Sequence, residues 1–256
     1  MYRLGDKTKI SQEIIKLFPV HSIYIEPFCG VGGLYLNKPR ISKINLLNDL
    51  DKSIHNLWLS IKNSPEDLLE ELISTPITEA TFNYFKNLET EDSLKLALKF
   101  IYLSSFSLFG AGSTFLSGNM IKKDSVISKL NLFLKSEHIQ RATFYNKDYQ
   151  SFLSSLSFVE SQESRVFVYC DPPYLSTGNN YNTPKWSSSD LINLIELLIS
   201  LKYNFAISEF ETTETMEIFN KYNLNTSVIG ERRNLQNSKT EMLAYNYKLK
   251  SNFLDY

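Results

Sequence analysis

The tetrapeptide Asp171-Pro172-Pro173-Tyr174 follows directly on the apolar run at residues 165–170 (RVFVYC), and no other feature constrains this chain as much. The run is β-branched and aromatic and reads as a buried central strand. Two consecutive prolines then fix φ and remove two backbone donors, so the chain leaves the strand through a rigid corner. Their carbonyls remain acceptors, Asp171 adds a carboxylate and Tyr174 adds a flat apolar face. This set suits a planar group bearing an exocyclic NH2, held at the strand end where open α/β sheets bind ligands. A structural turn accounts for one proline, but not for the acid, both prolines and the tyrosine together.

The N-terminal part opens in the same way. Residues 23–28 (IYIEPF) read as a buried strand that ends before Gly30, Gly32 and Gly33, and LYLN (residues 34–37) is expected to open a helix. Residues 43–47 (KINLL) read as a second strand ending at Asn48-Asp49, and residues 51–62 place Ile54, Leu57, Trp58 and Ile61 at helical spacing. Strand, glycine turn, helix, strand and acid in this order begin an α/β nucleotide-binding unit. The glycines of EPFCGVGG (residues 26–33) let backbone approach a ligand, although an ordinary tight turn needs them too. Asp49 can accept both hydroxyls of a ribose; a helix cap from Asp51 or Asn48 is compatible with that role. Trp58 reads as helix core. After the corner, residues 189–202 read as an amphipathic helix behind a Ser/Asp cap, with strands at residues 203–208 and 242–247.

Residues 63–139 differ in character. From 63 to 94 there are eight acids (Glu66, Asp67, Glu70, Glu71, Glu79, Glu89, Glu91, Asp92) against Lys86 alone, on helical spacing that suggests a solvated face. A Gly/Ser-rich turn follows at 109–119. The balance then reverses over 119–147, with Lys122, Lys123, Lys129, Lys135, Arg141 and Lys147 against Asp124 and Glu137. The expected architecture is therefore an α/β sheet over residues 1–62 and 140–256, interrupted by a mostly helical insertion at 63–139. Any phosphate-contacting surface is expected on the basic stretch, with Arg232, Arg233 and Lys239 as further candidates.

Composition removes several classes. The chain has 256 residues, 43% apolar and 13% aromatic, with a net charge of −1, which excludes overall disorder. Cys29 and Cys170 are too few for a disulfide framework or a thiolate zinc site, and His21, His55 and His138 have no ligand spacing, so no metal is expected. No apolar run is long enough to span a membrane, and residues 1–18 lack a signal-peptide core. A reduced, intracellular setting is expected.

The DPPY corner, the EPFCGVGG loop and the acid after the second strand, in this order, resemble the Dam-type DNA adenine-N6 methyltransferases (D12 class, alpha group) of bacteria and phages. Gly5-Asp6-Lys7 resembles that family's N-terminal G-x-K segment. Residues 144–149 (FYNKDY) resemble its cofactor-adenine segment. Tyr181-Asn182 with Trp186 resemble the loop after DPPY, and residues 241–247 (EMLAYNY) resemble its closing strand. The resemblance implies a Rossmann-like class I S-adenosylmethionine-dependent methyltransferase sheet whose inserted domain recognises the target. It implies methyl transfer to adenine N6 in double-stranded DNA after base flipping, in the cytoplasm, with no obligatory protein partner and no membrane association. Asp171, Pro172, Pro173 and Tyr174 are the implied catalytic residues, with Tyr174 stacked on the target base. Arg3, Lys7, Pro27, Phe28, Gly30, Asp49, Leu50, Asn146 and Asp171 are the implied cofactor contacts. Phe109, Lys122, Lys123 and Tyr181 are the implied DNA contacts. Phe109 is a candidate wedge, while core packing is an equal reading for Phe106 and Phe109. Residues 106–120 carry no arginine to meet a guanine edge, so the GATC specificity of the family's best-known members is not expected here. Methylation of RNA or of a protein amide, and a decayed DNA-binding relative, are the competing functions.

Overall fold

The protein is described here by a computed structural model covering residues 7–116, 122–175, 186–233 and 238–249. Arg3 and Tyr181 lie outside the described residues, as do the side chains of Phe109, Arg232 and Arg233. Strands run at β1 (Ile23–Glu26), β2 (Ile44–Asn48), β3 (Thr143–Tyr145), β4 (Val166–Cys170), β5 (Asn204–Phe210), β6 (Asn225–Arg233) and β7 (Ser238–Tyr245). Helices run at α1 (Ser11–Ile15), α2 (Lys52–Asn63), α3 (Pro65–Ser74), α4 (Glu79–Asn87), α5 (Ser93–Ser105), α6 (Lys123–Leu134), α7 (Glu137–Gln140), α8 (Tyr149–Ser154), α9 (Glu160–Glu163), α10 (Ser188–Ser200) and α11 (Thr213–Lys221).

The strands form one sheet in the order β3-β2-β1-β4-β5-β7-β6. β1 to β5 pair in parallel, whereas β7 runs antiparallel to both β5 and β6. This open, mainly parallel sheet with an apolar core on each face agrees with the Rossmann-like architecture expected from the sequence. Chain order reverses between β1 and β4, so their C-terminal ends flank the crevice where such sheets bind ligands.

Successive residues of a strand face opposite sides, and β4 shows it directly. Phe167 and Tyr169 join a core with Tyr24, Leu57 and Trp58, while Val166, Val168 and Cys170 join a second core with Leu191, Leu194 and Phe219. The helices after Asn63 do not form a separate core. Leu68, Leu72, Phe85, Leu98, Ile101 and Phe106 belong to the same apolar cluster as Ile54, Leu57, Trp58 and Ile61 of α2. Phe106 is fully buried and therefore packs in that core. The acids at 66–92 are exposed, as their spacing suggested.

Three expectations change. LYLN gives only the 3-10 turn Tyr35–Asn37, because Pro39 disfavours helical backbone at Lys38, which turns extended with ψ 130°. β6 has no counterpart in the sequence reading. The final strand begins at Ser238, four residues earlier than expected, because pairing with β6 extends it.

The loop after β1 depends on two glycines of positive φ, Gly30 (+50°) and Gly32 (+69°). A Cβ on Gly32 would stand 3.1 Å from Trp58 Cζ2, and Trp58 is buried and cannot withdraw; a Cβ on Gly30 would meet nothing within 4 Å. Gly32→Ala is therefore expected to destabilise by about 1–3 kcal/mol and Gly30→Ala by less, since only the former adds a clash to the backbone strain. Thermal melts of the two variants compare them directly, and equal melting temperatures would remove Trp58 from the explanation.

Candidate active site

Each parallel strand ends by delivering a polar group to the same edge of the sheet. Glu26 closes β1, Asp49 follows β2, Asn146 follows β3, Asp171 follows β4 and Glu209 lies at the end of β5. Side-chain hydrogen bonds to the backbone then fix the loops that carry these groups.

The Asp49 carboxylate accepts the Gly30 N–H at 2.8 Å and the Asp51 N–H at 2.9 Å, so it ties the glycine loop to the end of β2. Helix capping falls to Asp51, which accepts from Ser53 N–H at 2.9 Å, and not to Asn48. Buried Asn48 donates to the carbonyls of Pro27 (3.0 Å) and Lys147 (2.9 Å) and accepts from Lys147 N–H (3.0 Å), joining the loops after β1 and β3. Asn146 donates to the carbonyls of Asp49 and Leu50 at 2.8 and 3.0 Å. Pro27 is buried, Phe28 is half-buried beside Tyr149 and Trp186, and Leu50 is 48% exposed. Trp58 does more than fill the core. Its indole N–H donates to the Gly30 carbonyl at 2.9 Å, and its ring stacks on Phe144. Nothing in the spacing of Trp58 announced that bond.

At the corner, Lys7 Nζ lies 2.8 and 2.9 Å from the two carboxylate oxygens of Asp171. Both groups are shielded, Lys7 being 5% and Asp171 18% exposed, so their attraction is screened far less than at the surface. The same ammonium stands 4.7 Å from the centre of the Tyr174 ring. Tyr174 is only 6% exposed and meets Phe210 edge-on at 4.6 Å. An aromatic plate open to an incoming base is therefore not what this structure presents. Lys7 covers the ring, and burial pushes the phenol's pKa well up.

Two further acids stand behind the corner. Glu26 is buried and accepts from the Tyr24 hydroxyl at 3.0 Å; burial pushes its pKa well above the usual carboxylate range, and the nearby Asp171 charge adds to that. Glu209 is fully buried on β5 and accepts from Leu175 N–H (3.1 Å) and Phe210 N–H (2.7 Å). Burial, reinforced by Asp171, raises its pKa to about 8 against the two hydrogen bonds. Sequence reasoning missed Glu209. The signal for it was an acid inside an otherwise apolar strand run.

The basic stretch behaves unevenly. Lys122 is exposed, but Lys123 donates to the carbonyls of Ile73 and Thr75 at 2.7 and 2.8 Å, closing the C-terminal end of α3. The histidines serve locally: His21 Nδ1 bonds the Pro19 carbonyl and its Nε2 meets Lys38 Nζ, while His138 Nε2 meets the Lys38 carbonyl. Among the described residues no three His, Cys, Asp or Glu side chains gather as a metal site requires, and no helix is long and apolar enough to cross a membrane.

A family profile for D12 class N6 adenine-specific DNA methyltransferases matches residues 4–235. The chain belongs to that class. It is 26% identical over 253 residues to the DNA adenine methylase of Salmonella typhi, covering 91% of this chain and 87% of that one. Its identity to the DNA adenine methylase of Escherichia coli K12 is 24% with the same coverage. Modification methylase StsI of Streptococcus sanguinis is 25% identical over 281 residues, which span 99% of this chain and 38% of the relative. The reaction is methyl transfer from S-adenosylmethionine to adenine N6 in DNA. The residues present fit that cofactor. Open space lies where a Gly30 Cβ would stand, an anchored carboxylate closes β2, and the apolar Leu50 lies exposed next to it.

The raised pKa of Glu209 has a defined sign. Folded, the group keeps a proton that the unfolded chain releases near pH 4.5, so its contribution to stability declines as pH rises from about 4.5 to about 8. Glu209→Gln removes this dependence. The melting temperature of the variant relative to wild type should climb steadily across that window, and a constant difference would show that Glu209 ionises as an ordinary carboxyl.

Proposed function

We propose that the corner formed by Asp171, Pro172, Pro173 and Tyr174 activates the N6 amine of an adenine flipped out of double-stranded DNA. The observation that carries this reading is the placement of Asp171 at the end of β4, its two oxygens held by a shielded cation and its following residues stripped of backbone donors. The adenine amine is a weak nucleophile because its lone pair is delocalised into the ring. Hydrogen bonds from its two N–H groups to the Asp171 carboxylate and the Pro172 carbonyl favour a pyramidal nitrogen with a localised pair. Among the described residues no donor bonds the Pro172 carbonyl, which leaves it available as the second acceptor. S-adenosylmethionine, when bound, supplies an electrophilic sulfonium methyl group. No covalent enzyme intermediate is needed, and alignment of the amine becomes the main task of the chain.

In this reading Lys7, Pro27, Phe28, Gly30, Asp49, Leu50, Asn146 and Asp171 form the cofactor site, with Arg3 as a candidate in the preceding segment. Asp49 receives ribose hydroxyls, and Gly30 permits close approach of its backbone. Lys7 balances the charge of Asp171, and it must shift from the Tyr174 ring for a base to stack there. A base inside a duplex cannot reach such a corner, so the nucleotide is extruded first. Residues 63–139 serve as the target-recognition domain, with Phe109, Lys122 and Tyr181 as DNA contacts, while the bonds of Lys123 to α3 favour a structural role for it. The enzyme acts without an obligatory protein partner, in the cytoplasm of a bacterium or a phage-infected host.

Asp171→Ala is expected to abolish transfer of labelled methyl groups to DNA while retaining the fold and most cofactor binding. Transfer at a near wild-type rate would remove Asp171 from the chemistry. The two lysines should separate in a second measurement. Lys122→Ala should weaken DNA binding and flatten the plot of log affinity against log salt by about 1. Lys123→Ala should instead lower thermal stability by about 1 kcal/mol, through the two lost bonds to α3. An unchanged salt slope for Lys122→Ala takes that residue out of the interface.

A further inference from the structure

We propose that Glu209 is a positioning residue for methyl transfer, setting the exit of the Asp171-Pro172-Pro173-Tyr174 corner by holding the backbone N–H of Leu175. The inference rests on the reading of that corner as the catalytic element and adds a residue outside the motif to it.

Neither Pro172 nor Pro173 has an N–H, so over these two residues the corner cannot be pinned by donating backbone bonds. Its entrance is fixed by the ladder, where Cys170 pairs with Ile207 of β5. Downstream, Leu175 N–H reaches across to Glu209 Oε2 at 3.1 Å. The other oxygen, Oε1, accepts from Phe210 N–H at 2.7 Å, which locks the side chain to its own strand. Glu209 lies two residues beyond Ile207, so entrance and exit of the corner are both referred to β5.

The packing around Glu209 reinforces this role. Its carboxyl is fully buried, so its acceptors meet backbone donors rather than water. Burying a carboxyl is costly, and a packing role is filled better by Met or Leu. Two hydrogen bonds aimed at main chain, one of them to the residue that follows Tyr174, give the acid a reason to be there. Phe210, the next residue on β5, meets the Tyr174 ring edge-on at 4.6 Å. Adjacent residues of β5 thus fix the backbone after Tyr174 and the ring of Tyr174. The Asp171 carboxylate and Lys7 are close enough for their charges to act on Glu209. A displacement of about 1 Å at a group that aligns a nucleophile costs as much as 100-fold in rate.

The test uses the full chain and the substitutions Glu209→Met, Glu209→Asp and Glu209→Gln, with turnover expressed per cofactor-binding site. Met keeps length without an acceptor. Asp keeps the carboxyl group but is one methylene too short to hold both N–H groups. Gln keeps length and one acceptor oxygen. The expected order of kcat is wild type, then E209Q within about 5-fold, then E209D and E209M about 10- to 100-fold down, with KM for S-adenosylmethionine within about 3-fold throughout. If E209M does not fold, the contrast between E209D and E209Q decides. Equal kcat per site in E209D, E209Q and wild type overturns the proposal, as does a loss of activity that merely follows the loss of folded, cofactor-binding protein. Asp171→Ala is assayed in parallel. Activity surviving there defeats the reading of the corner itself, whereas an inactive D171A beside a wild-type E209D defeats only the role of Glu209.

Discussion

The pairing of Lys7 with Asp171 is the interaction on which the site turns. Parallel strands present their C-terminal ends side by side, and here those ends bring the acids Glu26, Asp49, Asp171 and Glu209 to one edge of the sheet. Negative charges gathered in a shielded crevice repel one another strongly. Two means reduce the cost. Glu26 and Glu209 are driven by burial toward their neutral forms, and Asp171 receives an ammonium on both of its oxygens. The cation arrives from residue 7, far from the sheet in sequence, through a segment that turns directly into α1. That segment is anchored by Ile10, which lies 3.3 Å from where a Gly230 Cβ would stand on β6, so the small residue lets it sit close. The electrostatics of β4 thus depend on packing at the far edge strand.

Around this pair the loops share one method of construction. Each chemistry-bearing turn is held by a side chain from another element that bonds its backbone: Asp49 and Trp58 hold Gly30, Asn48 joins Pro27 to Lys147, Asn146 holds residues 49 and 50, and Glu209 holds Leu175. A backbone bond fixes the turn whatever the side chains of that turn do. Groups meant to align a weak nucleophile against an electrophile gain from such anchoring, because alignment is not re-established at each turnover.

How much of this was legible in the sequence follows from where the information sits. β1, β2, β4 and β5 were readable because burial on both faces makes them short, mostly apolar runs. The corner was readable because two prolines beside an acid have few ordinary uses. β6 was not, since NTSVIGERR mixes polar and apolar residues around the bulge between Val228 and Gly230 and leaves Val228 65% exposed. β3 has three residues, too few to show a period. Trp58 and Glu209 were hidden for a shared reason: their partners are main-chain atoms 28 and 34 residues away, and main chain carries no letter. Lys123 shows the opposite case. Its place in a basic run points to a phosphate contact, and no letter of the sequence shows that its ammonium also holds the end of α3.

The insertion is also less separable than its composition suggested. A change of charge pattern marks residues 63–139 clearly, yet charge reports surfaces, whereas boundaries are set by cores. The helix α2 stands between the two parts. Its N-terminus follows Asp49 and is capped by Asp51, Trp58 reaches back to the Gly30 carbonyl, and its apolar residues share a cluster with Leu98 and Ile101 of α5. An element packed on both sides cannot shift toward one without disturbing the other, because close-packed interiors transmit displacement rather than absorb it. A displacement of the helices after Asn63 is therefore passed toward the glycine loop through α2, beside the contacts that His138 makes with Tyr35 and Lys38.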